Sequence, residues 1–236
     1  MIVTPIAATQ IINVPESIRD TATERTMRDA QIWQEGMIDE LHEFAGRSCY
    51  QSWNKPNPKT ANNEGYLAHI IDSQHESVLE HGSVTFYVEG VSRALTHELI
   101  RHRHLSFSEL SQRYVDVSDA KFINPPALRD IWGDEDPIPV DAVEMYEYVV
   151  NLLVNRKGLK RKQAREAARA FMPNGVETRI VVTGNIRAWR YVIAKRYDPA
   201  ADAEIQEFAG KVLEHLKEIA PNSVQDFDLR EEVGGH

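Results

Sequence analysis

The chain of 236 residues is long enough for one substantial hydrophobic core or two small ones. Its hydrophobic share of 42% and charged share of 27% are those of an ordinary soluble globular protein, and no apolar run approaches the roughly 20 residues that cross a bilayer. A formal net charge of -9 argues against a general nucleic-acid binder, whose affinity rests on a broad basic surface, but leaves room for a local anion site.

The opening "MIVTPIAATQ" lacks a basic segment followed by an apolar stretch, so no secretory signal is expected. A single cysteine, Cys49, excludes an internal disulfide framework and suits a reducing compartment, which makes the expected location cytoplasmic. Residues 6–14, "IAATQIINV", read as a short strand, and 23–53 as a long helix with Ile32, Met37, Ile38, Leu41 and Phe44 apolar. Residues 63–75 read as a second helix with Leu67, Ile70 and Ile71 on one face. In 83–90, "SVTFYVEG", Val84, Phe86 and Val88 alternate with Thr85 and Tyr87, the pattern of a half-buried strand. Helical spacing resumes over 92–103, with Leu95, Leu99 and Ile100 apolar and Ser92 as N-cap. That helix delivers Arg101 and Arg103 at its carbonyl end, which does not attract anions, so side chains must make any anion site there.

Residues 130–141, "DIWGDEDPIPVD", form an acidic, Pro-containing loop too short to mark a domain boundary. A helix from about Val140 and a basic helix reaching Met172 follow, with a turn at Pro173, Asn174 and Gly175. Residues 177–184, "ETRIVVTG", are a second strand, and 185–196 a helix that buries Ile186, Trp189 and Ile193. A last long helix spans about 202–219. Long helices with a few strands that need not alternate with them indicate an α+β fold.

Two segments run against the acidic balance, 93–113 and 156–169. Arginine carries a planar fork that binds phosphate or carboxylate oxygens two at a time and keeps its charge at physiological pH. Arg101, Arg103 and Arg113 therefore suit a phosphorylated small molecule, with Ser106, Ser108, Ser111 and Gln112 as neutral donors. They equally suit a structural ion-pair cluster with Glu98 and Glu109, and spacing does not decide between the two. Lys162, Arg165 and Arg169 share a helical face, with Glu166 beside Arg169. That face either completes a clamp on a polyanion or is simply solvated.

Five of the nine histidines lie between His75 and His104, which raises a metal site made of His97, His102 and His104 with His75 or His81. The interleaved arginines would repel a divalent cation, so no metal is expected; His42, His69 and His215 are expected at the surface or as satisfied core groups. Cys49 has Arg47 nearby but no local histidine, and a buried, inert thiol is expected. Ser111 lies outside any G-x-S-x-G elbow, and neither a dinucleotide-binding glycine fingerprint nor a P-loop is present.

"RHRHLSFSELS", 101–111, is similar to the signature of flavin-dependent thymidylate synthases, an RHR followed after seven residues by serine. Three further blocks agree: "HESVLEH" (75–81), "REAARAFMPNGVETRIVVTGN" (165–185) and "NIRAWRYVIAKR" (185–196). The resemblance runs from roughly 44 to 213, and the four blocks occur in order. It implies one domain over 1–236, with a mainly antiparallel central sheet packed by long helices, like the thymidylate synthase-complementing proteins. It also implies methylation of deoxyuridine 5′-monophosphate (dUMP) to deoxythymidine 5′-monophosphate (dTMP). The carbon would come from methylenetetrahydrofolate and the reducing equivalents from NADPH through FAD, with tetrahydrofolate released and no protein nucleophile. A homotetramer with shared active sites is implied as well, without nucleic-acid or membrane partners.

Carried over residue by residue, the resemblance places His75, Ser77, Glu80, Arg101, His102, Arg103, Glu109, Asn185, Ile186, Arg187 and Tyr191 at FAD. It places Glu98, Leu99, Ile100, Arg101, Glu109, Leu110, Ser111, Gln112, Arg113, Arg169 and Arg196 at dUMP. Arg196 matches the catalytic residue thought to favour ionisation of the uracil ring nitrogen, and Ser111 becomes a binding hydroxyl. Two positions depart from the pattern: Ala200 stands where a histidine close to the flavin is common, and Tyr191 where others have Asn or His. The alternative from another class is a nucleotide- or RNA-binding module that uses the arginine cluster without chemistry.

Overall fold

The structure, a computed structural model, describes residues 1–13, 38–53, 57–132 and 141–230. Its centre is a four-stranded antiparallel sheet in the order β1-β2-β4-β3, with β1 Ile2–Ala8, β2 Ser83–Ser92, β3 Leu105–Glu109 and β4 Glu177–Asn185. Val84, Phe86 and Val88 of β2 are fully buried beside Ile180 and Val182 of β4, as the alternation requires. Ser106 and Ser108 on β3 are exposed on the other face.

Helices cover the buried face. Two of them, α7 Ile186–Arg196 and α8 Ala203–Ile219, lie in the second half of the chain. From α7, Trp189 meets the edge of Phe86 at 5.1 Å between ring centroids and donates its indole N–H to the Val84 carbonyl (3.1 Å). The close approach depends on Gly184, where an added Cβ would sit 2.3 Å from Leu105 and 3.1 Å from the Trp189 nitrogen. Ile205, Phe208, Val212, Leu213 and Leu216 of α8 complete the layer at helical spacing. The remaining helices are α1 Ile38–Tyr50, α2 Asn63–Asp72, α3 Arg93–Leu99, α4 Pro126–Trp132, α5 Ala142–Lys157 and α6 Arg161–Ala168.

The α+β class and both central strands agree with the sequence reading; several boundaries do not. The first strand is Ile2–Ala8 rather than 6–14, because its register is set by β2: Ile2 pairs with Glu89 and Ala8 with Val84. Pro5 is tolerated there because β1 is an edge strand. The first long helix is described only from Ile38, so Ile32 and Met37 lie outside the described residues. On α2 the buried stripe is Tyr66, Leu67 and Ile70, with Ile71 partly exposed. Ser92 caps α3 as expected, its hydroxyl accepting from the Leu95 N–H (3.1 Å), but the helix ends at Leu99 and leaves Ile100 exposed. The basic segment is split, since Gly158 adopts a left-handed φ of 66° and ends α5 before α6 begins. Most of the acidic loop lies outside the described residues.

The end of the chain returns to α1 through a buried polar knot. Asp39, 3% exposed, accepts from the Asn222 N–H (2.7 Å), the Ser223 N–H (3.0 Å) and the Ser223 hydroxyl. His42 Nδ1 meets that hydroxyl at 2.8 Å, and His42 Nε2 accepts from the Gly82 N–H at 3.2 Å. Burial pushes Asp39 up to about 6 against the hydrogen bonds that lower it. Burial first, then His81, pulls His42 down to about 3.

Folded Asp39 holds a proton that the unfolded carboxyl releases between about pH 4 and 6, so its contribution is full below pH 4 and lost as pH rises through 6. Folded His42 refuses a proton that the unfolded ring takes up, so its contribution is full above about pH 6.5 and shrinks on acidification. Between pH 6.5 and 4 each is worth roughly 3 kcal/mol, with opposite signs. On acidification over that range, Asp39→Asn should lose roughly 3 kcal/mol more stability than the wild type, and His42→Gln should lose less by a similar amount. Urea denaturation at the two pH values measures this; one common pH slope for all three proteins would exclude it.

Candidate active site

Each central strand runs into a helix capped by the strand's own last residue. Ser92 ends β2 and caps α3, while Asn185 ends β4 and accepts from the Ala188 N–H (2.8 Å) to cap α7. The C-terminal ends of α3 and α7 meet. Arg196 Nε donates to His102 Nε2 at 3.1 Å, and Arg196 Nη1 donates to a Glu98 carboxylate oxygen at 2.9 Å. Arg196 is only about a quarter exposed, which strengthens the ion pair relative to a surface one.

His102 is buried and its edge meets the Tyr191 ring at 5.6 Å. Burial, then the Arg196 charge, holds its pKa below the usual histidine value, so the ring is neutral. Because Nε2 accepts from arginine, the ring proton sits on Nδ1. That Nδ1 is buried and has no partner. Burial, then the hydrogen bond and charge of Asp202, raises Glu98 above the usual carboxylate range, with Arg196 opposing.

Beside this junction lies a cleft of about 860 Å³. One wall is α7, with Asn185, Arg187, Ala188, Arg190, Tyr191 and Ala194. Residues 101–105 face it, the turn carrying Glu76 and Glu80 closes one side, and Asp226 and Phe227 close another. Arg187 pairs with Glu80 (2.6 Å) and Glu76 (3.6 Å). Arg101 and Arg103 are exposed and make no side-chain ion pair among the described residues. The cleft thus offers two free guanidinium forks next to a neutral, buried N–H donor.

The structure therefore gathers Glu80, Arg101, His102, Arg103, Asn185, Arg187 and Tyr191 from the expected cofactor set. His75 and Ser77 are exposed but do not line the cleft. Ile186 and Leu99 have no exposed surface, so neither presents a group to a ligand within this chain. Glu109 is bound by Thr96 (2.9 Å), Thr178 (3.1 Å) and Arg93 (3.2 Å), an anchor between β3, α3 and β4. Its expected neighbours Leu110, Ser111, Gln112 and Arg113, and Arg169, also lie outside the cleft.

The basic helix is a mixture of the two readings. Lys162 bonds the Tyr114 hydroxyl (2.7 Å) and Arg165 pairs with Asp116, whereas Arg169 is exposed. Glu166 pairs with Arg113 (3.2 Å) rather than Arg169, because the segment after Ser111 folds back onto α6. Cys49 is exposed, not buried as expected: it sits at the last turn of α1, whose inward face is taken by Arg47, Glu43 and His42. His42 is a satisfied core group. No group of three or more His, Cys, Asp or Glu side chains converges as a metal site among the described residues.

Sequence reasoning passed over Glu76, Arg190, Ala194, Asp226 and Phe227, and weighed His104 only as a metal ligand. Arg190 and Ala194 were legible in principle, since they follow Arg187 by three and seven residues on one helical face. Asp226 and Phe227 carried no local signal, because only the return of the chain to α7 brings them there.

Comparison with known proteins fits this geometry. Residues 33–222 match the family model described as thymidylate synthase complementing protein. The probable flavin-dependent thymidylate synthase of Mycobacterium phage L5 is 51% identical over 234 residues, covering 94% of this chain and 95% of the relative. The flavin-dependent thymidylate synthase of Mycobacterium tuberculosis is 52% identical over 199 residues, covering 80% and 79%. The crystal structure of thymidylate synthase X from Helicobacter pylori with FAD and dUMP superposes with a TM-score of 0.62 at 20% identity, covering 96% of this chain and 98% of that one, which shows a shared fold. The chain belongs to the family of flavin-dependent thymidylate synthases.

Proposed function

We propose that this chain, as one domain over 1–236, converts dUMP to dTMP, with methylenetetrahydrofolate as carbon donor and NADPH as reductant through bound FAD. The observation that carries the reading is the cleft itself: unpaired Arg101 and Arg103 beside the Arg196–His102–Glu98 junction, in a chain half identical to its relatives. The residues fit the cofactor. A diphosphate needs cationic forks, which Arg101 and Arg103 supply, and the His102 Nδ1–H needs an acceptor it does not find among the described residues. Tyr191 adds an exposed flat ring to the same wall. Ala200 is exposed in the turn after α7 and does not line the cleft, so it brings no group to the flavin from the same chain.

FAD, when bound, supplies the hydride chemistry, and the protein supplies binding, orientation and electrostatics. Arg196 is fixed by two bonds, one to a neutral imidazole and one to a carboxylate, and its Nη2 is left for substrate. A preorganised guanidinium against the uracil edge stabilises the negative charge that develops when the ring nitrogen loses its proton. His102 sets the direction of that fork without neutralising it, because a neutral ring accepts a hydrogen bond but carries no charge. The reading calls for no protein nucleophile, and Cys49 does not line the cleft.

Of the expected dUMP residues only Arg101 lines the cleft; Glu98 and Arg196 form the junction beside it, and Glu109 to Arg113 and Arg169 lie elsewhere on the chain. The reading places the family's homotetramer with shared active sites here, because one chain's cleft does not gather the whole set. No helix among the described residues is long and apolar enough to cross a membrane.

Thymidylate formation from dUMP, methylenetetrahydrofolate and NADPH should depend on FAD; a yield indifferent to flavin would overturn the flavin reading, and a colourless protein that binds nucleotide without turnover would favour the binding-module reading. Arg196→Ala should lower turnover by roughly 10²–10³-fold or more while FAD binding, read by flavin fluorescence, is retained. Equal losses of both would assign Arg196 to the fold instead. Gel filtration should show a tetramer, and a fully active monomer would remove the shared-site claim.

A further inference from the structure

One wall of the cleft ends in two residues that the family motifs do not reach. Asp226 and Phe227 line it, and both lie beyond residue 222, where the match to the family model stops. They are held by Arg190, which is 6% exposed and therefore buried, yet also lines the cleft. Its fork grips Asp226 with two bonds, 2.5 and 2.8 Å, and donates to the Ser223 carbonyl at 2.9 Å. The Phe227 ring lies 5.0 Å from the same guanidinium. Arg190 Nε is buried and without a partner. Further along, Arg230 bonds the carbonyl and hydroxyl-bearing ring region of Tyr197, which pins the segment along α7.

The charges along this wall alternate. Glu80, Arg187, Glu76, Arg190 and Asp226 form a row in which each group pairs with the next. Three carboxylates against two arginines leave the row slightly acidic, while Arg101 and Arg103 across the cleft are free. A dianionic diphosphate is thus attracted to the Arg101 side and repelled by the row. What remains for the row and for Phe227 is an uncharged part of the ligand: hydroxyl or amino donors for the carboxylates and a flat ring for the phenyl.

We propose that the segment carrying Asp226 and Phe227 is part of the dinucleotide site, with Phe227 packing on one of the two flat ring systems of FAD. Asp226 is a positioning residue that holds Arg190 and, through it, Phe227. The proposal rests on the flavin reading given above. It extends that reading to residues outside the family's motifs.

The test is titration of the cofactor-free full-length protein with FAD, FMN and ADP, by flavin fluorescence for the first two and calorimetry for ADP. Phe227→Ala should weaken FAD about tenfold, the scale of one ring-stacking contact. The loss should fall on FMN or on ADP but not equally on both, and Phe227→Tyr should restore it. Phe227→Leu, which keeps apolar bulk and loses the flat ring, serves if the alanine variant fails to fold. Asp226→Asn should weaken the same fragment without weakening the other. Unchanged FAD affinity, or equal losses for FMN and ADP, would overturn the proposal. Arg101→Ala separates the two levels: if it alone loses FAD, the wall is wrong and the flavin site stands. If the wild type binds no FAD, both fall.

Discussion

The antiparallel pairing of β2 with β4 decides where the arginines of the cleft and of the junction beside it can lie. Ser83 faces Asn185 and Ser92 faces Glu177, so the two strands deliver their helices from opposite ends of the sheet. Helix α3 leaves at the Ser92 end and α7 at the Asn185 end, and α7 then runs back until Arg196 reaches Glu98 and His102. Because a strand's side chains alternate, a slip of one residue would turn Val84, Phe86 and Val88 out of the core. It would also part the two helix ends. The register is therefore fixed by burial, and the junction of charged residues inherits its geometry from an apolar requirement.

Burial and pairing then sort the arginines by role. Arg47 and Arg190 are buried and bonded to carboxylates, as an interior charge must be. Arg196 is half-way, bonded on two sides and open on a third. Arg101 and Arg103 are exposed and unpaired among the described residues, in a chain whose carboxylates outnumber its cations. Free cations in an acidic protein are costly neither in desolvation nor in repulsion, and they remain available to an anion. This sorting separates arginines spent on carboxylates from arginines that stay open, which residue spacing alone did not provide.

Sequence patterns carried the parts of the fold where one physical effect dominates. Alternation in 83–90 and 177–184 marked the two central strands, and Ser92 sat where an N-cap was needed. Strand β3 carried the same signal, Leu105 and Phe107 alternating with Ser106 and Ser108, but over only five residues and directly after a cationic run that drew the reading to anion binding. The end of α3 was overestimated for a related reason: Arg101 to Arg103 continue a helical pattern, yet the chain must turn to reach β3. Glu166 was assigned to Arg169 by helical spacing, whereas the fold offered it Arg113 from another segment.

By itself the sequence determined the class of fold, the apolar faces, the caps and the residue types gathered at 101–113, because each depends on neighbours within a few positions. It also carried the motif by which the family is recognised. Tertiary structure alone decided which arginines are spent on carboxylates and which stay free, that His102 is neutral with its proton on Nδ1, and that Asp226 and Phe227 close the cleft. Those outcomes rest on contacts between segments that are up to 150 residues apart, such as Glu76 with Asp226 through Arg190. Local pattern contains no record of such contacts; only packing of the sheet against α7 and α8 brings them into being.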